Sequence, residues 1–416
     1  MTVRIDRVET FRVDYPTVGR FKFFEQPRGR APGRPTVIVK ITADDGTVGW
    51  GQCVPSPRWS YETIESCVTT IETYLATELI GRDPFDAEEL QAAMNRVIAP
   101  SFSTGQPIAK AGIDLALFDL AGRLLGQTAA ERWGVRGRDR IGLSWTINVV
   151  SLDEVPEQIE LARHRGYRSF NIKVANQRSP LSPPRERVGV RGVSEDTTFT
   201  NEVQRRMPLT PGPSPPAGAR GGLDVTFDLE LCRLVRRLVP DDFIWADANG
   251  GYDEVTAREV APKLADLGFA ALEQPLPANR LAGYRRLKQQ AALPIVMDEG
   301  IVSRADLEEF LQLDLLDGVA MKVARCGGLT EAVLIVKLIQ DAGLMWLGSG
   351  LTDADLSLAA SLLLFGAFDL PCPAALNGPQ FLTTSVLRQP FVVEEGSLRV
   401  PTGPGLGVDV DEELLK

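Results

Sequence analysis

Residues 242–250 read DFIWADANG, 270–276 AALEQPL, 294–301 PIVMDEGI and 318–328 GVAMKVARCGG. Each is a short apolar run ending on a charge, and those charges (Asp247, Glu273, Asp298, Lys322) recur about every 24 to 26 residues, the length of one strand, one loop and one amphipathic helix. The same shape extends outward: LSWTINV at 143–149, YRSFNIKV at 167–174 with Lys173 at its end, and LMWLGSG at 344–350. Seven strand-like runs, each followed by helical periodicity, predict a parallel sheet closed into a (β/α) barrel. A doubly wound sheet normally carries a Gly-rich phosphate loop after its first strand, and no G-x-G-x-x-G or P-loop stands there.

The flanks read differently. VRIDRVETFRVDY and TVIVKITADDGTVGWGQ alternate apolar and polar positions with DDG between the last two runs, which predicts an antiparallel meander. From about Thr63 to Gly126 the period is helical, and small residues in AKAGIDLALFDLAGRLLG suit close packing. The expected organisation is an α+β capping domain over 1–135, a barrel over 136–370, and a segment 371–416 that supplies the last barrel strand and returns to the N-terminal meander. Between NIKVANQ and LDVTF lie about 45 residues, 178–222, rich in Pro, Gly and Arg and holding PLTPGPSPPAGARGG. Such composition buries too little apolar surface to offset its ordering entropy, so an inserted loop is expected, with a basic regulatory arm as the alternative.

Composition narrows the chemistry. The chain of 416 residues carries 45 Lys+Arg against 55 Asp+Glu, a net charge of -10, which makes nucleic acid and anionic membranes poor partners and a small solute the expected one. No signal-type or membrane-length apolar run is present, and a cytoplasmic location is expected. The five scattered cysteines have no C-x-x-C pair and read as buried thiols. The single histidine, His164 in ELARHRGYRSF, reads as a solvated helical residue, which removes Ser-His-Asp and His-ligated zinc chemistry.

Five charges at consecutive strand ends project into one barrel mouth. Three carboxylates there repel unless a cation neutralises them, and an all-oxygen set suits Mg²⁺. Asp247, Glu273 and Asp298 are therefore candidate ligands, with salt bridging or helix capping as the other reading for each. Lys173 and Lys322 flank them. A buried lysine beside a divalent cation is a candidate general base, and removal of a proton α to a metal-bound carboxylate gives an enediolate. A structural network bridging the acids is the alternative for the pair. Asn249 and Glu299, close to the acids in sequence, are candidates for holding them in place.

The order I-K-V, D-A-N-G-G, L-E-Q-P-L, D-E-G and M-K-V-A-R-C-G-G, with L-N-G-P and G-P-G-L-G-V near the end, resembles the enolase superfamily, in its mandelate racemase/muconate lactonizing enzyme subgroup. The resemblance implies a modified (β/α)7β TIM-type barrel under a cap built from both termini. It also implies Mg²⁺ on Asp247, Glu273 and Asp298, acid/base lysines at Lys173 and Lys322, a small carboxylate substrate and a homo-oligomer. The branch that uses a histidine base is disfavoured, since no histidine follows the seventh strand. Departures are visible: the first lysine of the usual K-x-K is Asn171, and Ala375-Leu376-Asn377 stands where dipeptide epimerases carry D-x-D. Asp353 and Asp355 after the seventh strand are candidates for a substrate amine or for capping. The cap loop VGRFKFFEQPRGR, with Arg20, Lys22 and Phe24, is a candidate for substrate contact, as is Asn377, while Trp59 joins the loop or packs in the cap. The expected reaction is racemisation or epimerisation of an amino-acid-like substrate. A hydroxyproline-type dehydratase and a muconate cycloisomerase are the alternatives within the same chemistry, and a non-catalytic or insertion-crippled homologue is the rival outside it.

Overall fold

The computed structural model describes residues 3–23, 33–100, 104–175 and 225–415. The insertion assigned to 178–222 and the candidate Phe24 lie outside the described residues.

The meander forms as its alternation predicts: β1 (Ile5–Pro16), β2 (Gly33–Ala43) and β3 (Val48–Cys53) pair antiparallel in sequence order. The last turn uses Gly46 at φ +87, and the Thr47 N–H donates to Asp45 Oδ1 at 2.9 Å. Behind this sheet runs the helix Pro107–Leu125, buried continuously from Pro107 to Gly122. Its small residues meet glycines on β3, and a Cβ at Gly51 would lie 2.0 Å from the Gly112 carbonyl oxygen. That contact admits no side chain.

The barrel follows. β4 (Arg140–Gly142) leads into β5 (Trp145–Ile147), β6 (Ser169–Lys173), β7 (Phe243–Asp247), β8 (Leu272–Glu273), β9 (Ile295–Met297), β10 (Gly318–Met321) and β11 (Met345–Gly348). Strands β5 to β11 form one parallel sheet in sequence order. Closure is made by Ala374 and Ala375, which bridge in parallel to Leu143 and Ser349, with the Ala374 N–H on Gly142 O and the Ala375 N–H on Gly348 O, both at 2.8 Å. An eighth strand this short leaves the (β/α)7β barrel complete without a regular ladder.

Side chains on the strands alternate between two environments. The outer set packs against helices such as Val155–His164, Glu254–Asp266 and Leu329–Asp341 in the largest core cluster. The inner set, Trp245, Ala271, Val296, Ala320, Leu347 and Ala375, forms a separate apolar cluster that fills the barrel.

The tail returns to the meander, where Leu382 bridges antiparallel to Thr17 and the Thr383 N–H donates to the Pro16 carbonyl at 3.2 Å. Its strand β12 (Ser397–Arg399) pairs with β4, where Arg140 holds Glu394 and Ser397. Beyond it the chain reaches the cap, where the Leu406 N–H donates to Asp119 Oδ1 at 2.8 Å and Lys40 pairs with Glu412 at 2.6 Å. His164 ends its helix exposed, and all five cysteines are free, four of them buried. Among the described residues, no helix is long and apolar enough to cross a membrane.

Candidate active site

Register builds the site. Trp245, Ala271, Val296 and Ala320 line the barrel interior, so the residues two further along the same strands face the same way at its C-terminal mouth. Those residues are Asp247, Glu273, Asp298 and Lys322. Asn171 and Lys173 repeat the relation on β6, where Lys173 pairs in register with Asp247 and Asp247 with Glu273. All five charged groups are between 0% and 4% exposed.

One carboxylate oxygen from each of Asp247, Glu273 and Asp298 lies within 4.8 Å of the others. Lys173 hydrogen-bonds Asp247 Oδ2, and Lys322 bonds Asp298 Oδ1 at 2.5 Å. Two oxygens, Glu273 Oε1 and Asp298 Oδ2, are buried without a hydrogen-bond partner among the described residues. Unsatisfied anionic oxygens are costly in a protein interior, and an all-oxygen donor set of this spacing fits a hard divalent cation such as Mg²⁺.

Electrostatics follow from this crowding. Burial first, then Asp247 and Asp298, push the Glu273 carboxyl up to about 8. Burial alone would also raise Asp298, but Arg325 and Lys322 outweigh it and hold Asp298 below the usual carboxylate range. For Lys173, burial lowers the ammonium, yet Asp247 and Glu273 overcome it, so it sits above its ordinary value. A cation on those carboxylates reverses that balance.

Neighbouring groups orient the acids. Asn249, in the left-handed region at φ 45, turns its N–H to Asp247 Oδ1 at 2.8 Å and its amide Nδ2 to Asp247 Oδ2 at 3.1 Å. The same Nδ2 donates to Glu299 Oε1 at 3.0 Å. Trp245 donates its indole N–H to Glu273 Oε2 at 2.7 Å, and Gln274 accepts from the Asp298 N–H at 2.9 Å.

The cap covers the mouth with aromatic rings. Trp59 lies 4.8 Å from Lys322 Nζ and 5.9 Å from Lys173 Nζ, and its indole N–H donates to Glu299 at 2.8 Å. Phe23 stacks on it at 4.4 Å, while Phe21 packs between Trp59 and Phe381. Lys22, half-buried in the same loop, is pushed down to about 8 by burial, partly offset by Asp247 and reinforced by Lys173.

Other sequence candidates fall elsewhere. Asp353 spends its oxygens on the Leu351 N–H at 3.0 Å and the Ser361 hydroxyl at 3.1 Å. Asp355 accepts from the Tyr15 hydroxyl at 2.7 Å, the Ser385 hydroxyl at 2.6 Å and the Val386 N–H at 2.8 Å, so it joins the cap sheet to the tail. Neither carboxylate is left over for a substrate amine. Arg20 is exposed, and Asn377 is buried with its amide 3.4 Å from Thr146 Oγ1. Sequence reasoning passed over Arg325, whose Nη2 reaches both Asp298 Oδ1 at 2.5 Å and the Asp298 carbonyl at 2.6 Å. The available signal was its place three residues after Lys322 in M-K-V-A-R-C-G-G.

Comparison with known proteins agrees with this layout. Residues 154–414 match the family described as enolase C-terminal domain-like, and residues 25–134 match the mandelate racemase/muconate lactonizing enzyme N-terminal domain. A chloromuconate cycloisomerase of Cupriavidus necator is 28% identical over 422 residues, covering 100% of this chain and 98% of the relative. The crystal structure of 2-chloromuconate cycloisomerase from Rhodococcus opacus superposes with a TM-score of 0.80 at 25% identity, covering 100% of this chain and 99% of that one. Muconate lactonizing enzyme from Pseudomonas fluorescens, solved with muconolactone, superposes at 0.81 with 24% identity and the same coverage. The chain belongs to the enolase superfamily, in its muconate-lactonizing subgroup.

Proposed function

We propose that this protein is a Mg²⁺-dependent isomerase that moves the proton on the carbon α to a substrate carboxylate, and that its reaction is cycloisomerisation of a muconate-type dicarboxylate. The observation that carries the chemistry is the gap shared by Asp247, Glu273 and Asp298 with a lysine on each flank. The finer reading rests on relatives that are cycloisomerases of muconate and chloromuconate, and it takes precedence over the racemisation expected from sequence. Bound Mg²⁺ supplies positive charge to the carboxylate whose α-carbon exchanges the proton.

The protein's own groups do the rest. As the lactone forms, one carboxylate oxygen of the substrate adds across the double bond and a lysine ammonium delivers the proton to the α-carbon. Among the described residues, Lys173 and Lys322 are the two lysines that hydrogen-bond the triad, and they are the proposed donors. Trp59, Phe21 and Phe23 exclude water above them, and Lys22 offers a cation to a distal carboxylate.

Racemisation is the second reading, favoured by one observation: the lysines pair with different carboxylates, Lys173 with Asp247 and Lys322 with Asp298, which suits proton removal on one face and return on the other. The test incubates the enzyme and Mg²⁺ in D₂O with cis,cis-muconate, muconolactone, and a panel of chiral amino acids and N-acyl amino acids. Conversion between muconate and lactone with deuterium at the α-carbon supports the first reading. Deuterium uptake with loss of optical activity in a chiral acid, and no lactone chemistry, supports the second. No exchange with any carboxylate rejects both.

A further inference from the structure

Asp298 is held on three sides. Its N–H donates to Gln274 Oε1, its carbonyl accepts from Arg325, and its Oδ1 accepts from both Lys322 and Arg325. Only Oδ2 is left, and it has no partner among the described residues. Arg325 is brought there by the tight turn Val323–Arg325, in which its N–H returns to the Lys322 carbonyl at 3.1 Å. Among the described residues it is the one side chain that grips backbone and carboxylate of Asp298 together, and so limits rotation of that carboxylate about its own stem.

The guanidinium makes this contact at a cost. Arg325 is 3% exposed, yet its Nε and Nη1 find no hydrogen-bond partner among the described residues. Buried donors left unsatisfied are unfavourable. A side chain that leaves two donors unused while one nitrogen serves Asp298 twice is placed for Asp298, not for its own hydrogen bonding.

We propose that Arg325 is a positioning residue for the cation site: it fixes Asp298 with Oδ2 toward the other two acids and thereby sets how tightly the triad holds Mg²⁺. The inference rests on the cation site proposed above. Lys322 cannot take over this task, because it reaches only Oδ1 and is itself a proposed proton carrier. A lysine at 325 would keep the charge but lose the planar fork that reaches carbonyl and carboxylate together.

The test is calorimetric titration of Mg²⁺, without substrate, into EDTA-stripped wild type, Arg325→Met, Arg325→Lys and Asp298→Asn. Orienting partners of metal ligands typically contribute about 10- to 100-fold in affinity, so Arg325→Met should weaken Mg²⁺ binding by that factor. Arg325→Lys should fall between it and wild type. In turnover, the Mg²⁺ concentration for half-maximal rate should rise in the same order while kcat at saturating Mg²⁺ recovers, a split that general loss of structure does not produce. Wild type that binds Mg²⁺, Asp298→Asn that does not, and a folded Arg325→Met within about two-fold of wild type would overturn the inference and leave the cation site standing. Wild type that fails to bind Mg²⁺ overturns both. If Arg325→Met is insoluble, unchanged affinity in Arg325→Lys overturns it as well.

Discussion

Glu273→Gln is expected to make the metal-free protein more stable while destroying its affinity for Mg²⁺. Burial, then Asp247 and Asp298, push the Glu273 carboxyl from 4.5 up to about 8, with the attraction of Lys322 and Lys173 already counted in that balance. The unfolded chain ionises this group above about 4.5, whereas the folded protein keeps it protonated until about 8, so folding takes up a proton between those limits. Stability therefore falls as pH rises through this window and levels off above it. Each unit is about 1.4 kcal/mol, so the cost at pH 7 is about 3 kcal/mol. Glutamine does not ionise, and its carbonyl can still accept the Trp245 indole N–H. The assay is scanning calorimetry in EDTA at pH 5, 7 and 8.5, where about 1 °C per kcal/mol is expected for a chain of this length. The variant should melt about 3 °C above wild type at pH 7, with a smaller gap at pH 5 and a larger one at pH 8.5. Mg²⁺ should raise the melting temperature of wild type alone. A variant no more stable than wild type at pH 7, or a gap that does not widen with pH, would refute the account of crowded carboxylates.

Other outcomes follow from the same geometry. Lys173→Ala and Lys322→Ala should each lose about 10²- to 10⁴-fold in kcat, as expected for a general acid or base, while calorimetric titration still detects Mg²⁺. Because the cation needs Glu273 ionised, Mg²⁺ affinity should rise with pH and level off above about 8, with proton release visible as a buffer-dependent heat of binding. Trp59→Phe keeps a ring beside Phe23 but removes the N–H on Glu299, and should lower kcat with little change in melting temperature. Tyr15→Phe should cost about 1.5–3 kcal/mol of stability, since Asp355 loses a hydroxyl donor, and should leave kcat/KM near wild type. A matched fall in kcat/KM would show that Asp355 acts on the substrate after all.

The triad and both lysines were legible because each ends an apolar run, and from Asp247 to Lys322 a unit of 24 to 26 residues repeats from one to the next, while Lys173 stands 74 residues before Asp247 across the insertion. That regularity reports strand ends, and strand ends of a parallel barrel meet in space whatever the loops do. Arg325 was marked only by its place three residues after Lys322, and its grip on Asp298 was not legible, since Asp298 follows the neighbouring strand β9 and no spacing rule links a turn residue to the acid it grips. Trp59 was readable as a cap aromatic, but its position over Lys322 depends on how the cap lies on the barrel. Asp353 and Asp355 read, from their place after the seventh strand, as groups for a substrate amine or as helix caps. The backbone there is left-handed at Thr352 (φ 59) and Asp355 (φ 34), and both carboxylates meet protein donors instead. The return of the tail to the meander was readable in its strands and turns, but the pairing of β12 with β4 was not, since it involves Arg140, Glu394 and Ser397, which carry no strand signal of their own.

Tyr15 and Arg34 act as two rivets between cap and barrel. Tyr15 is fully buried against Asp355, and Arg34 spans Val54, Pro55 and Leu351 through its guanidinium. A cap hinged away as a block would have to break both sets of hydrogen bonds and expose the buried groups that make them. Movement of the cap as a block is thereby disfavoured, and substitutions that enlarge the substrate range are expected at Phe21, Phe23 and Trp59, whose cluster of rings lies over the two lysines, and not at the seam between the two domains.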